Sequence, residues 1–494
     1  MLSAAVFLPL AGALLLAAWR SLGAGAARAV ATLVAAAPLA LLIAAWLAFD
    51  STPDAPPFQL VEEAPWIPTL GVAWRLGADG IALPVAAMSA LLFVAAVAWP
   101  TDTMGRARQY YAWFLFLEGV TLGVFLALDL LLFYVFFDLS LVGMYFLIGR
   151  WGHGDSRRAA LKFFIYTLAG SLAMLLAILG LYLATEPLTF DMRAMIESQP
   201  LAGTGLHGSL VLLGFVAGFA IKTPLFPFHT WLPPAHVDAP APASAILAGV
   251  LLKLGTFGLI RIPFSMMRDV FATWAFALGA LAVVSILYGA LVALGQGNMK
   301  RRIAYTSVNH MGYTVLGIAA AGAAVGSADA RVLALTGATL EMIAHGLITG
   351  SLFLITGAFW QRAEEYDLDA YGGLARSTPR LALLATVAAF ASLGLPALAG
   401  FVAEFHIFAG TFGVYPWLAA FGLVGIVITA ALFLDMLQRL FFGALPERRA
   451  EFGDLSVRET TVLALLLLLV VVIGVYPRWL LTIVDAGARA LIGG

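Results

Sequence analysis

The 494-residue sequence contains no cysteine, and only 11% of its residues are charged. The first absence excludes disulfides, thiolate ligation of iron–sulfur clusters and thiol nucleophiles. The second, with 62% hydrophobic residues and a mean hydropathy of +0.97, excludes an ordinary soluble domain and indicates a polytopic helical membrane protein. Net charge is −1, so no strong field invites nucleic acid. No Walker A sequence, HExxH or nucleophile elbow is present. Gly203, Gly205 and Gly208 match GxGxxG literally, but neither strand nor βαβ unit surrounds them, so a nucleotide loop is rejected.

What the chain does have is long apolar runs. Fourteen can be drawn at bilayer length, at 3–19, 27–49, 81–99, 109–127, 130–148, 160–184, 208–228, 240–260, 271–294, 303–325, 332–360, 379–412, 415–438 and 460–483. The least marked cut is at Ala127–Asp129, and the first run reads as a retained helix because its arginine follows the apolar core. With both termini outside, eighteen of the 27 lysines and arginines fall in inner loops and seven on the outer side. That asymmetry supports an even helix count. Lys300, Arg301 and Arg302 read as a loop anchor, and the outer loops 50–80 and 185–207 are the longest.

Lys222 and Lys253 remain inside the spans. A lysine at bilayer depth costs about 2.5–3.5 kcal/mol on insertion scales and is a functional hypothesis by default. A desolvated lysine also gives up its proton readily unless a carboxylate holds the charge. The wider intramembrane set is Glu118, Asp138, His310, Glu341, His345, Glu404 and Asp435. Glu118, Glu341 and Asp435 read equally well as paired structural groups. Asp138 sits mid-helix among bulky apolar residues, with Lys222 the candidate partner, and His310 and His345 suit a relay. His229 and His236 have no third ligand at metal spacing.

Two spans are broken. Pro224 and Pro227 interrupt AIKTPLFPFHTWLPP after Lys222, and Gly394, Pro396 and Gly400 interrupt SLGLPALAGFVAEF before Glu404. Breaks at bilayer depth survive only where protein or a water-lined cavity satisfies the freed backbone, and paired breaks point to inverted repeats.

The stretch GFAIKTPLFPFHTWLPPAHVDAPAPASAILAGVLLKLGTFGLIRI (218–262) closely resembles the signature region of the antiporter-like subunits of respiratory complex I. KFFIYTLAGSLAML, NMKRRIAYTSVNHMGYTVLGI, MIAHGLITGSLFL and YGGLARSTPRLALL extend the resemblance, which is strongest to the M-type branch. It implies an all-α membrane fold of about 14 helices, with two inverted five-helix repeats broken at helices 7 and 12. The implied units are 1–108 (helices 1–3), 109–262 (helices 4–8), 263–442 (helices 9–13) and 443–494 (helix 14). It implies a proton relay of Asp138, Lys222, Lys253, His310, His345 and Glu404, with Asp138 standing where the family nearly always has Glu. It implies no cofactor on this chain, with NADH, FMN, iron–sulfur clusters and quinone elsewhere in the complex. The implied partners are the lipid of a bacterial inner membrane and other membrane-arm subunits, including L- and N-type neighbours. A multisubunit cation/proton antiporter or hydrogenase subunit, and a non-pumping spacer, stay open beside a proton-translocating subunit.

Overall fold

A computed structural model describes residues 1–493. Its helices are α1 (Leu2–Ala18), α2 (Ala24–Ala48), α3 (Ala82–Ala98), α4 (Ala107–Leu126), α5 (Leu130–Trp151), α6 (Ser156–Tyr182), α7 (Met192–Ser198), α8 (Leu206–Lys222) and α9 (Leu232–Asp238). There follow α10 (Ala241–Phe264), α11 (Arg268–Leu294), α12 (Met299–Ala321), α13 (Ala328–Ala363), α14 (Pro379–Ser392), α15 (Ala399–Phe412), α16 (Pro416–Phe441), α17 (Val457–Val475) and α18 (Arg478–Gly493). Among the described residues nine helices are long and apolar enough to cross a bilayer unaided. Counting α8 with α9 and α14 with α15 as broken spans, and adding α1, α3 and α12, the segments total fourteen, with α7 and α18 outside the count.

Two features depart from the spans and loops drawn from the sequence. The connection at 50–80 contains an antiparallel hairpin, β1 (Gln59–Ile67) and β2 (Val72–Ala78), turning through Pro68–Leu70 and Gly71. The span drawn at 460–483 is two helices, since Pro477 removes the donor that would continue α17 into α18. The cut at Ala127–Asp129 holds, because Asp129 caps α5 by accepting the amides of Leu131 and Leu132 at 3.1 and 3.2 Å.

The hairpin is fastened to the membrane helices by buried charge. Arg75 of β2 pairs with Asp129 at 2.9 Å. Arg261, expected in an outer loop, is instead buried at the end of α10 and pairs with Asp79 at 2.6 Å. Asp79 also takes the amides of Ile81 and Ala82 at the start of α3, at 3.0 and 2.7 Å. Phe58 and Phe257 flank the guanidinium, each 5.1 Å from it. Replacing Arg261 by Ala leaves the Asp79 carboxylate enclosed and unpaired, a cost of about 3–5 kcal/mol. The thermal midpoint of the purified protein should fall and residues 50–80 should become protease-sensitive; an unchanged midpoint would refute this clamp.

The centre of the bundle is α12 and α13. In α12 all residues except Arg301 and Tyr305 are buried, so this helix tolerates Lys300, Arg302, Asn309 and His310 without facing lipid. The loop-anchor reading therefore fails for two of its three residues. Lys300 donates to the carbonyls of Val237 and Ala239, and Arg302 pairs with Asp435 at 2.6 Å. That pair also accounts for Asp435 as a structural group at the bundle's edge.

Both breaks have their backbone needs met. After α8, the Phe226 amide donates to Ser285 Oγ of α11 at 2.8 Å, and Trp231 Nε1 donates to the Ile221 carbonyl at 2.9 Å. Between α14 and α15, the Leu395 amide reaches the Phe390 carbonyl at 3.1 Å while Gly394 takes φ +75°. The chain can turn sharply there because glycine has no Cβ penalty in the left-handed region.

Candidate proton-relay site

Seven helices contribute. Lys253 follows a π-helical turn, Leu247–Leu251, that interrupts α10. Its ammonium donates to the Ala248 carbonyl at 2.7 Å, and its Nζ lies 2.6 Å from His345 Nδ1 of α13. This contact depends on a close crossing of α10 and α13. A Cβ on Gly249 would lie 3.2 Å from the Gly346 carbonyl oxygen, and one on Gly346 would lie 2.9 Å from that of Gly249.

The His345 ring is 5.4 Å, centroid to centroid, from His310 of α12. His310 Nδ1 faces two carboxylates: Glu341 Oε1 of α13 at 3.1 Å and Glu404 Oε1 of α15 at 3.8 Å. Its Nε2 faces Ser392 Oγ, the last residue of α14, at 3.2 Å. Lys253, His310, Glu341, His345 and Glu404 are all buried. One contiguous cluster thus joins four of the six expected residues, Lys253, His345, His310 and Glu404, and adds Glu341 and Ser392.

Lys222 and Asp138 form a second group. The Lys222 ammonium donates to Ser140 Oγ at 3.1 Å and lies over the Phe137 ring at 5.1 Å, both on α5. Asp138 lies between those residues in sequence, yet no ion pair within 4.0 Å joins it to Lys222 among the described residues. Asp138 Oδ1 is enclosed without a hydrogen-bond partner. The serine takes the contact expected of the carboxylate.

The two groups adjoin where α8 meets α10. A Cβ on Gly255, two residues past Lys253, would lie 2.3 Å from the hydroxyl of Thr223, the neighbour of Lys222. That hydroxyl is buried and has no hydrogen-bond partner. Phe133, Phe137, Phe215 and Phe219 pack around this junction and exclude water from its flank. Sequence reasoning missed Ser140, Thr223 and Ser392, and ranked Glu341 no higher than a structural acid. Glu118 of α4 is wholly enclosed with neither oxygen bonded, so no hydrogen bond joins it to the cluster.

The arrangement is a line of groups that each can hold or release one proton, enclosed in protein, with hydrogen-bond contact at Lys253–His345 and His310–Glu341 and wider steps of 5.4 Å between the two histidine rings and 3.8 Å from His310 to Glu404. It offers proton transfer, with no nucleophile–base pair for bond cleavage. Comparison with known proteins agrees with this chemistry. The family model described as "NADH:quinone oxidoreductase/Mrp antiporter, TM" matches residues 127–429. The chain is 37% identical to NADH-quinone oxidoreductase subunit M of Rhodobacter capsulatus, over 100% of this chain and 96% of that protein. It is 37% identical to F(420)H(2) dehydrogenase subunit M of Methanosarcina mazei, over 92% of this chain and 91% of that one. A chain of respiratory complex I from Thermus thermophilus superposes with TM-score 0.87 at 32% identity, covering 100% of both. The chain belongs to the NADH:quinone oxidoreductase/Mrp antiporter transmembrane family.

Proposed function

We propose that this chain is a proton-translocating membrane-arm subunit of an NADH:quinone oxidoreductase, in a bacterial inner membrane with both termini outward. The observation that carries this reading is the enclosed line from Lys253 through His345 and His310 to Glu404. Its neighbours are other antiporter-like subunits, and the redox groups (NADH, FMN, iron–sulfur clusters, quinone) belong elsewhere in the complex. Segments 109–262 and 263–442 act as the two repeats, each ending its broken helix near an ionisable residue.

In this mechanism the charge on Asp138 governs whether Lys222 keeps its proton. A field of opposite sign within several ångströms favours the ammonium, and its withdrawal releases the proton toward the Thr223 junction and Lys253. Electron transfer in other subunits supplies the electrostatic change, so no redox group is needed here. The path then runs through His345 and His310, beside Glu341, to Glu404, which lines a cavity of about 360 Å³ between α15 and α16.

A second reading, a non-pumping spacer, draws on the missing Asp138–Lys222 contact. Asp138→Asn decides between them in the assembled complex. The relay predicts a lower proton-to-electron ratio for Asn and a preserved ratio for Asp138→Glu, which extends the carboxylate by one methylene. An unaltered ratio in Asp138→Asn would favour the spacer. Which electron-input module purifies with the chain separates NADH oxidation from the F420H2-type relative.

A further inference from the structure

We propose that Glu341 is itself a proton carrier in this relay, and that it passes its proton to Glu404 through a single nitrogen of His310. The inference rests on the relay reading above and extends it by one residue. Glu341 and His345 are one turn apart on α13, so they share a helix face. His345 holds the lysine end of the line and Glu341 touches the carboxylate end. Glu341 is therefore where the two halves of the cluster meet.

The geometry at His310 is specific. Both carboxyl oxygens address the same ring nitrogen, Nδ1, at 3.1 and 3.8 Å, while Nε2 faces Ser392 Oγ at 3.2 Å. Side-chain exposure is 2% for Glu341, 4% for His310 and 5% for Glu404. Two carboxylates beside one imidazole would leave a net negative charge even with the ring protonated. Like carboxylates enclosed together resist ionising together, and the Lys253 ammonium on the His345 side is the other charge that acts on Glu341 and His310. The set titrates as a unit rather than as three residues.

The transfer balances at each step. With Nε2–H donating to Ser392, the Nδ1 lone pair takes the proton of the Glu341 carboxylic acid; an O–H bond breaks, an N–H bond forms, and carboxylate and imidazolium result. The Nδ1–H bond then breaks as the Glu404 carboxylate forms its own O–H. The ring returns to its starting tautomer with no rotation, because the proton arrives and leaves at one nitrogen. The second oxygen of Glu341 and Nε2 of His345 are both enclosed without a protein partner, which leaves each free for the preceding transfer from the lysine side.

A purely positioning role would have Glu341 fix the His310 ring and nothing more. Glu341→Gln separates the two, since its amide still hydrogen-bonds Nδ1 and fills the same space but carries no exchangeable carboxyl proton. In the assembled complex reconstituted in liposomes, the proposal expects Glu341→Gln to slow proton translocation about 10²-fold, in line with loss of a positioned acid–base group. It expects Glu341→Asp to restore most of the loss, and the pH profile of pumping to change shape in the Gln variant. Translocation and pH profile equal to wild type in Glu341→Gln would overturn the proposal. If Lys253→Met abolishes pumping in the same assay, that result condemns Glu341 alone; if Lys253→Met pumps normally, the relay reading falls with it. Should the Gln variant fail to assemble, wild-type complex treated with dicyclohexylcarbodiimide decides. That reagent adds only to protonated carboxyls, so an adduct on Glu341 or Glu404 supports a carboxyl proton held in the set, and adducts on neither overturn it.

Discussion

Replacing Lys253 by Met should abolish proton translocation while the assembled complex still accepts electrons. Lys253 is wholly buried, and its ammonium has two partners, His345 Nδ1 at 2.6 Å and the Ala248 carbonyl at 2.7 Å. Methionine matches the length and flexibility of the lysine stem, so the crossing of α10 and α13 stays filled. What is lost is, among the described residues, the one group at hydrogen-bond distance from a His345 ring nitrogen. The expected loss is about 10²-fold or more, the range for removing a positioned acid–base group. The informative companion is Lys253→Arg. Arginine keeps the positive charge but does not release its proton in proteins, so it should fail as completely as Met. If Arg pumps like Lys while Met does not, the side chain supplies a fixed charge and the relay does not pass through it. Proton flux into liposomes, measured against electron transfer in the same preparation, distinguishes these results.

The architecture was largely legible because apolar length is a direct consequence of bilayer thickness, and most spans fall within a few residues of the helices drawn from it. The exceptions have physical causes. The segment around Lys300, Arg302 and His310 is the least apolar of the spans, yet α12 is enclosed by other helices and needs no lipid-compatible surface. The hairpin at 59–78 was hidden because its strands carry Glu62, Glu63, Pro65 and Arg75, which blur an alternating pattern, and because its stability comes from distant acids such as Asp129. Helix α18 was hidden because the apolar run resumes directly after Pro477 and Arg478, a gap too short to mark a separate helix.

At the site, chemical type was legible and contact was not. Lys253, His310, His345 and Glu404 announce themselves as ionisable groups where lipid would forbid them. Serine and threonine give no such signal, since in helices they usually satisfy their own backbone, as Ser140 does with the Phe137 carbonyl at 2.6 Å. Ser140 nonetheless holds Lys222, and Ser392 holds His310. Asp435 and Glu341 looked alike in sequence. Only tertiary contact separates them, one pairing with Arg302 at the edge and the other with His310 at the centre.

The break before α15 yields the other large effect, through a residue with no ionisable group at all. Gly394 has φ +75°, and a Cβ placed there would lie 2.2 Å from Glu404 Oε2. Gly394→Ala therefore meets two penalties. The left-handed backbone conformation costs a residue with a Cβ about 1–3 kcal/mol, and the new methyl occupies the carboxylate's position. The carboxylate is the mobile partner, so it swings away from His310 Nδ1, from which it stands only 3.8 Å even in wild type. A displacement of that kind can lower a transfer rate about 10²-fold. Gly394→Ala should thus pump as poorly as Glu404→Ala, with assembly and electron transfer retained. The decisive variant is the double substitution. Shortening the acid with Glu404→Asp makes room for the methyl, so Gly394→Ala combined with Glu404→Asp should pump better than Gly394→Ala alone. Two substitutions in contact are expected to couple in this way, whereas independent damage would simply add. Additive losses would mean that Gly394 acts through the backbone of the broken helix alone. Recovery would mean that the break exists to leave a space the size of one methyl group, in which Glu404 can face the histidine.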